Sequence, residues 1–391
     1  MIIKKLNNIS DIIYTKLPKE DYTFIEEGDN YDAILVRSAK LHGMQFPQSL
    51  LAIGRAGIGV DNIDIEECSK QGIVVFNTPG ANANAVKELV LCGMMLAGRK
   101  IVEGVEWVKS DEAKAFSPEE FAPAMEKAKK AFVGREIGGK TLGVIGLGAI
   151  GVLIANAAVS MDMDVIGYDP YLSVESALKL SRNVTLAKSK EEVLKAADFV
   201  TMHIHLTPET KGTIGEKELK IMKKDAVVLN YARGGLVDDD AIISALSEGR
   251  LGAYVTDFPD SKLAGVPGVI ATPHLGGSTP EAEENCARIA ASELNKFLRY
   301  GKIKNSVNFP DCDLPYETGY RLCIFNKNIT NMIGQMTAVL TAQGLNIEHM
   351  MNRSKGDYAY TLIDTLDRPD DAAIKAIEAI DGVIRVRVIG M

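Results

Sequence analysis

The chain has 391 residues, 44 Lys plus Arg against 52 Asp plus Glu, a formal net charge of −8, 46% apolar and 25% charged residues. This is the composition of a soluble globular protein of two or three domains, and it excludes global disorder. An acidic chain with no long basic run is a poor ligand for nucleic acid or an anionic membrane.

The N-terminus, Met1 to Asn7, lacks the apolar core of a secretory signal, so a cytoplasmic protein is expected. Short apolar runs at Ala33–Val36, Leu50–Ile53 and Ile73–Phe76 read as buried strands, each followed by Gly or Pro turn signals. Ala83–Leu96 reads as an apolar helix. Ile101–Lys130 is a helical stretch with expected breaks at Pro118 and Pro123. From Lys140 the strand–helix alternation is clear, with strands at Thr141–Ile145, Asp164–Tyr168, Phe199–Ile204, Ala226–Asn230, Ala253–Thr256 and Val269–Ala271. Such units imply a parallel, doubly wound sheet. Gly143–Met161 carries no charge over 19 residues, near the minimum for a membrane span, but its four Gly suit a strand–turn–helix far better. Thr279–Tyr300 reads as a long helix with Pro280 and several Glu in its first turns. A linker-like stretch, Asn305–Pro315, precedes a β-α-β-β-α-β pattern, the ferredoxin-like split unit. The five Cys (68, 92, 286, 312 and 323) are odd in number and in no zinc-binding spacing. Reduced thiols and no metal site are expected.

Three motifs carry chemistry. Gly146-Leu147-Gly148-Ala149-Ile150-Gly151 follows an apolar strand and opens a helix, and Asp169 stands 18 residues beyond Gly151 at the end of the next strand. This is the full dinucleotide fingerprint. Gly146 permits the tight turn, Gly148 lets a pyrophosphate approach the backbone, and Gly151 allows close helix–strand packing, with the helix N-terminus meeting the phosphate charge. Asp169 would accept from the ribose hydroxyls and repel a 2′-phosphate, which favours NAD over NADP. Second, Asn230-Tyr231-Ala232-Arg233-Gly234-Gly235 lies where a strand ends, and Arg233 there can hold a carboxylate bidentately. Third, Thr272-Pro273-His274-Leu275-Gly276-Gly277-Ser278-Thr279 places one of only five His in a Gly-rich turn before a helix, suited to proton transfer.

In this order the motifs resemble the NAD-dependent D-2-hydroxyacid dehydrogenases. Further similar runs lie at Val36-Arg37-Ser38, Gly54–Asn62 and Asn77–Asn82. The resemblance implies two doubly wound parallel-sheet domains of Rossmann or flavodoxin-like type, with the cofactor domain inserted into a split substrate domain. The implied limits are 1–92 and 275–317 for the substrate-binding parts and 93–274 for the NAD-binding domain. Residues 318–391 resemble an ACT regulatory domain. The resemblance implies that His274 takes the hydroxyl proton, that Arg233 grips the substrate carboxylate, and that Gly146, Gly148, Ala149, Ile150, Gly151, Asp169, His203, Thr207, Tyr231, Ala232 and Asp257 face the cofactor. Arg37, Ser38, Gly59 and Asn82 are the implied substrate contacts.

One departure stands out. Lys262 occupies the position of the family's catalytic Glu, so the third catalytic place falls to Lys262 or to nearby Asp260. His205 also stands where the family usually has Pro. An ACT-like tail favours 3-phospho-D-glycerate as substrate and L-serine as effector, at Asn326, Asn328 and Asn346. Asn326 stands where serine-inhibited relatives have His. A phosphate needs local cations, for which Arg37, Arg55, Lys129, Lys130 and Arg135 qualify. An unphosphorylated 2-hydroxy acid, or a non-catalytic NAD sensor, are the competing expectations. A homodimer or homotetramer is expected.

Overall fold

The computed structural model describes residues 1–317 and 319–390. The expected limits of the last segment, 318 and 391, fall on the two residues outside them. The chain forms two compact units, one of Met1–Ala81 with Pro280–Met391 and one of Asn82–Thr279.

The first unit contains β1 (Ile2–Lys5), β2 (Thr23–Ile25), β3 (Ala33–Val36), β4 (Ala52–Arg55) and β5 (Val74–Phe76), an all-parallel sheet in the order β2-β1-β3-β4-β5. Such a sheet binds ligands outside the carboxyl ends of its strands. Arg37 directly follows β3 and Arg55 closes β4. Strands β1 and β2 escape the sequence pattern because they are short, four and three residues, and β1 ends in two lysines. The helix Pro280–Tyr300 covers one face of the sheet with Ala287, Ala290, Ala291, Leu294 and Leu298. It packs so closely that a Cβ at Gly54 would lie 2.9 Å from Leu294 Cδ1.

The same unit carries β13 (Tyr320–Lys327), β14 (Ile347–Lys355), β15 (Tyr358–Thr365) and β16 (Val383–Gly390), an antiparallel sheet in the order β14-β15-β13-β16. With helices Met332–Ala342 and Asp371–Glu378 this is the expected β-α-β-β-α-β order. Leu322, Ile324 and Ile363 pack against Met336, Leu340 and Ile377 of those helices. Cys323, Phe325, Tyr360 and Leu362 point to the other face and join Phe76, Phe297 and Phe309 in the core of the parallel sheet. Arg321 and Asp364 form a fully buried bidentate pair at 2.6 Å.

The second unit is built on β6 (Thr141–Ile145), β7 (Asp164–Tyr168), β8 (Val184–Leu186), β9 (Phe199–Met202), β10 (Val227–Asn230), β11 (Ala253–Thr256) and β12 (Val269–Ala271). Their order is β12-β11-β10-β9-β6-β7-β8, all parallel, with the topological switch between β6 and β9. The uncharged stretch Gly143–Met161 spans the rest of β6, a turn and helix Ala149–Ser160, which sends Val152, Ile154, Ala155 and Ala158 into the core of the unit. Among the described residues no helix is long and apolar enough to cross a membrane. The expected boundary at 92/93 falls inside helix Ala83–Arg99, whose Val86, Val90 and Met94 share a core with Leu142, Val144 and Phe199. Pro118 starts a helix, but Pro123 lies inside Pro118–Ala128 instead of breaking it. That helix buries none of its residues, so the hydrogen bond that Pro123 removes is lost at the surface and not in a core. All five cysteines are free thiols, and only Cys92 is exposed. Among the described residues no cluster of His, Cys, Asp and Glu could hold a metal ion.

Candidate active site

In the second unit the fingerprint glycines do three different jobs. Gly146 adopts φ 91°, and a Cβ there would meet the His203 carbonyl at 2.6 Å. At Gly148 a Cβ would find nothing within 4 Å, so this backbone is open to a close-approaching ligand. At Gly151 a Cβ would collide with the Gly146 carbonyl at 1.9 Å, so helix Ala149–Ser160 sits against the turn only because residue 151 has no side chain. Ala149 and Ile150 are the first two residues of that helix, where free N–H groups and the helix dipole favour an anion. Asp169 accepts the Leu147 N–H and the Tyr171 N–H, both at 2.8 Å, one on each carboxylate oxygen. Its charge is thereby fixed beside the glycine turn.

His203 bonds through Nε2 to Thr201 Oγ1 at 2.9 Å, while its buried Nδ1 has no partner. Burial pushes its pKa down to about 3, so the imidazole is neutral. Thr207 lies in an exposed turn closed by Thr210. Tyr231 turns its side chain into the core, with its hydroxyl against Gly93, so only its backbone faces the strand ends.

At the carboxyl ends of β10 and β11 the two reactive motifs meet. Asn230 Nδ2 donates to the Arg233 carbonyl (2.9 Å) and its Oδ1 accepts from Ala232 N (3.2 Å), which sets the turn that projects Arg233. The Arg233 guanidinium lies 5.9 Å from the Phe258 ring, and the His274 imidazole packs on the same ring at 4.3 Å between centroids. Phe258 thus spaces the two functional groups. Sequence inspection missed it because an aromatic residue after a strand has no signature of its own. Asn82, at the start of helix Ala83–Arg99, lies against Gly277 of the His274 loop, and its buried Oδ1 has no partner.

Asp257 is 1% exposed and accepts the Gly276 N–H through Oδ2 at 2.8 Å. Its Oδ1 is buried without a partner. Burial pushes this carboxyl above its ordinary value, opposed by the N–H groups of Gly276 and Leu275 and by the nearby His274. The orphaned oxygens of Asn82 and Asp257 and the open backbone at Gly148 fit a dinucleotide that brings its own amide and hydroxyl donors. A raised carboxylate pKa means that ionisation costs the fold stability, a penalty relieved as pH falls through the raised value. Asp257→Asn should therefore raise Tm at pH 7. It should also flatten the acid limb of the kcat/KM profile. A pH scan of both variants checks the pair of effects.

Two expectations are corrected. Lys262 does not stand in for a catalytic acid: its ammonium is committed to both oxygens of Asp240 at 2.9 Å on the surface. Asp260 is occupied in accepting the Lys262 N–H (3.1 Å) at the start of a short helical turn. His274 lies close enough to Asp257 to lower that carboxyl's pKa against the effect of burial. Lys262→Ala should leave kcat and KM within about threefold, since exposed ion pairs contribute little. Arg135 is no substrate contact either. It donates to the carbonyls of Asp225 (2.9 Å) and Asp198 (3.4 Å), which precede β10 and β9 at the end of the sheet opposite the glycine turn.

In the first unit, Asn7 Oδ1 accepts the N–H groups of Arg37, Ser38 and Ala39 at 2.8–3.4 Å and shapes the turn after β3. Arg37 pairs with Glu283 at 2.7 Å. Arg37 follows β3 and Arg55 ends the neighbouring β4, and the Cys286 thiol, raised by burial, is pulled down by a Thr78 hydrogen bond and by both guanidiniums. Gly59 follows in a half-exposed loop held by Asn77 Nδ2 on the Ile58 carbonyl at 2.9 Å. In the C-terminal sheet, Asn326 and Asn328 line a cavity of about 220 Å³ with Asn352, whereas Asn346 is not part of its lining and bonds Glu348 at 2.8 Å.

This chain belongs to the D-isomer specific 2-hydroxyacid dehydrogenase family. Residues 91–276 match the family's NAD-binding domain, and NAD is the cofactor that this domain takes. Among named relatives, the D-3-phosphoglycerate dehydrogenase of Escherichia coli is 33% identical over 358 residues, 88% of this chain and 82% of that protein. That of Methanocaldococcus jannaschii is 38% identical over 319 residues, covering 79% of this chain and 57% of its own length. The chain spans little more than half the length of several curated relatives that it matches. A solved structure of NAD⁺-bound 3-phosphoglycerate dehydrogenase from Entamoeba histolytica superimposes with a TM-score of 0.60 at 27% identity, covering 79% of this chain and 98% of that one.

Proposed function

We propose that this protein oxidises 3-phospho-D-glycerate to 3-phosphohydroxypyruvate with NAD, the entry reaction of L-serine biosynthesis, in the cytoplasm. The observation that carries the substrate choice is the pair Arg37 and Arg55, two guanidinium side chains at the carboxyl ends of the adjacent strands β3 and β4 in a protein of net charge −8. A phosphomonoester is the anion that two guanidiniums suit best. Arg233 takes the substrate carboxylate and polarises the C2 oxygen. His274 accepts the C2 hydroxyl proton, and Phe258 keeps imidazole and guanidinium in fixed relation. NAD supplies the hydride acceptor for C2–H. Asp257 holds the His274 loop through Gly276 and keeps a negative charge near the imidazolium that forms. Asn82, Ser38 and the backbone at Gly59 are further substrate contacts. His203, Thr207, Ala232 and Asp169 serve the cofactor.

NADH production from 3-phosphoglycerate, compared with glycerate, lactate and 2-hydroxyglutarate, tests the reading. Preference for an unphosphorylated acid would overturn it.

The C-terminal sheet is read as an ACT-like regulatory module with L-serine as effector. Asn326 is buried with Oδ1 unpartnered at the cavity, an acceptor that an ammonium group would satisfy. Calorimetry with L-serine on the wild type and on Asn326→Ala tests it, and binding that survives the substitution removes the assignment. A homo-oligomer is supported by Ile101, Val105 and Val108, a helical stripe 43–53% exposed on helix Ile101–Lys109, which buries none of its residues. Val105→Glu with Val108→Glu should lower the mass found in sedimentation.

A further inference from the structure

The helix Pro280–Tyr300 runs for 21 residues, about 30 Å at 1.5 Å per residue. Near its start Glu283 holds Arg37 at 2.7 Å. At its end the last carbonyls have no partner within the helix. They are taken up by arginines of the C-terminal sheet. Arg387 on β16 donates to the carbonyls of Phe297, at 3.2 Å, and Leu298, and its guanidinium lies over the Phe297 ring. Arg321 on β13 donates to the Tyr300 carbonyl at 2.9 Å while locked to Asp364.

Strand β4 is gripped in a parallel way. Arg385, two residues before Arg387, donates to the carbonyls of Leu50 and Gln48 in the loop that leads into β4. That strand ends on Arg55, five residues after Leu50. One edge strand, β16, therefore holds the near ends of two rigid elements whose far ends carry Arg55 and the partner of Arg37. The contact is not tightly filled: a cavity of about 700 Å³ lined by Gln48, Leu51, Gln71, Arg385 and Arg387 runs beneath it. The pairing of β13 with β16 is irregular at Phe325/Asn326, at the floor of the asparagine-lined cavity.

We propose that Arg385 and Arg387 are positioning residues for the substrate anion: β16, acting through helix Pro280–Tyr300 and β4, sets the placement of Arg37 and Arg55, so the C-terminal sheet tunes substrate affinity and not hydride transfer. This rests on the reading that Arg37 and Arg55 hold the substrate phosphate.

The test uses the full chain with Arg387→Met, which keeps the stem and removes the donors, and with Arg387→Lys, which restores a charge and one donor. Arg387→Met should raise KM for 3-phosphoglycerate about two- to thirtyfold, the range of such coupling, with kcat and NAD affinity unchanged. Arg387→Lys should recover part of the loss. Glu283→Gln should raise KM too, and the double variant should fall short of the product of the single effects, as for two points on one path. An unchanged KM, or parallel losses in kcat and NAD affinity, overturns the proposal. Amide exchange separates its failure from that of the substrate reading. Independently of any substrate, Arg387→Met should speed exchange at Ala39 and Ala56, which bond Asn7 Oδ1 and the Val36 carbonyl, without touching Thr141–Ile145. Unaltered exchange at Ala39 and Ala56 sinks the mechanical link even if 3-phosphoglycerate is the substrate, and should Arg387→Met not fold, the same readout on Arg387→Lys decides.

Discussion

His274→Ala should lose about 10²- to 10⁴-fold in kcat while KM for the acid stays within a few-fold, the range expected when a positioned general base is deleted. The C2 hydroxyl cannot surrender a hydride from carbon until its proton has somewhere to go. In this unit the imidazole that meets Phe258, 4.3 Å between centroids, is the base on offer. Of the two histidines after β9, His203 is held neutral by burial with its Nε2 on Thr201 and its carbonyl packs on the glycine turn, while His205 is exposed. Arg233→Ala should behave differently. On the proposed reading its guanidinium would contact the carboxylate in the ground state and the developing carbonyl in the transition state, so kcat should fall and KM should rise together. Arg233→Lys should not rescue it, because a lysine offers a point charge in place of a planar fork and cannot stack over Phe258. Steady-state kinetics of the three variants decide. Near-normal kcat in His274→Ala would mean that another group takes the proton.

Much of this site is legible in the sequence because the chemistry dictates backbone geometry. A turn that tolerates only Gly at 146 and 151 writes itself as glycines, and each expected job is met by a distance: 2.6 Å to the His203 carbonyl, 1.9 Å to the Gly146 carbonyl. The buried strands Ala33–Val36 and Val227–Asn230 are continuous apolar runs because both faces of a parallel sheet are covered. The parts that could not be read are those set by tertiary contact. Nothing in the residues around Lys262 says that its ammonium turns to Asp240, 22 positions back, instead of toward His274. Arg135 looks like any other cation until the fold puts it beneath β9 and β10, on the wrong end of the sheet. The family resemblance implies a place for Asp257 near the cofactor, but its hold on the His274 loop depends on a bond across 19 residues. The four strands of the C-terminal sheet were readable from period and turns. That one of its faces would enter the core around Phe297 and Phe309 was not, since Cys323, Phe325, Tyr360 and Leu362 suit a domain core and an interface equally well.

The second large effect concerns the cofactor. NADP should be used about 10²- to 10³-fold less efficiently than NAD in kcat/KM. The reason is the fixed position of Asp169. A carboxylate on a free side chain would swing aside from a 2′-phosphate and limit the clash. This one accepts the Leu147 N–H with one oxygen and the Tyr171 N–H with the other, both at 2.8 Å, so moving it breaks two charge-assisted bonds. Two like charges about 4 Å apart at the edge of a protein repel by about 4 kcal/mol, enough for a factor near 10³ before solvent and salt take their share. The same anchoring makes the conversion harder than a single substitution suggests. Asp169→Ala removes the repulsion but also frees the two N–H groups that order the glycine turn, so NAD efficiency should fall while NADP improves only slightly, and selectivity should be relaxed without being inverted. Inversion should need a cation in addition, for which the exposed Tyr171, 91% accessible and one bond from the anchored N–H, is the position to change to Arg. Comparing kcat/KM for both cofactors in wild type, Asp169→Ala and Asp169→Ala/Tyr171→Arg tests the sequence of effects. Equal use of NADP by the wild type would show that Asp169 does not face the 2′ position.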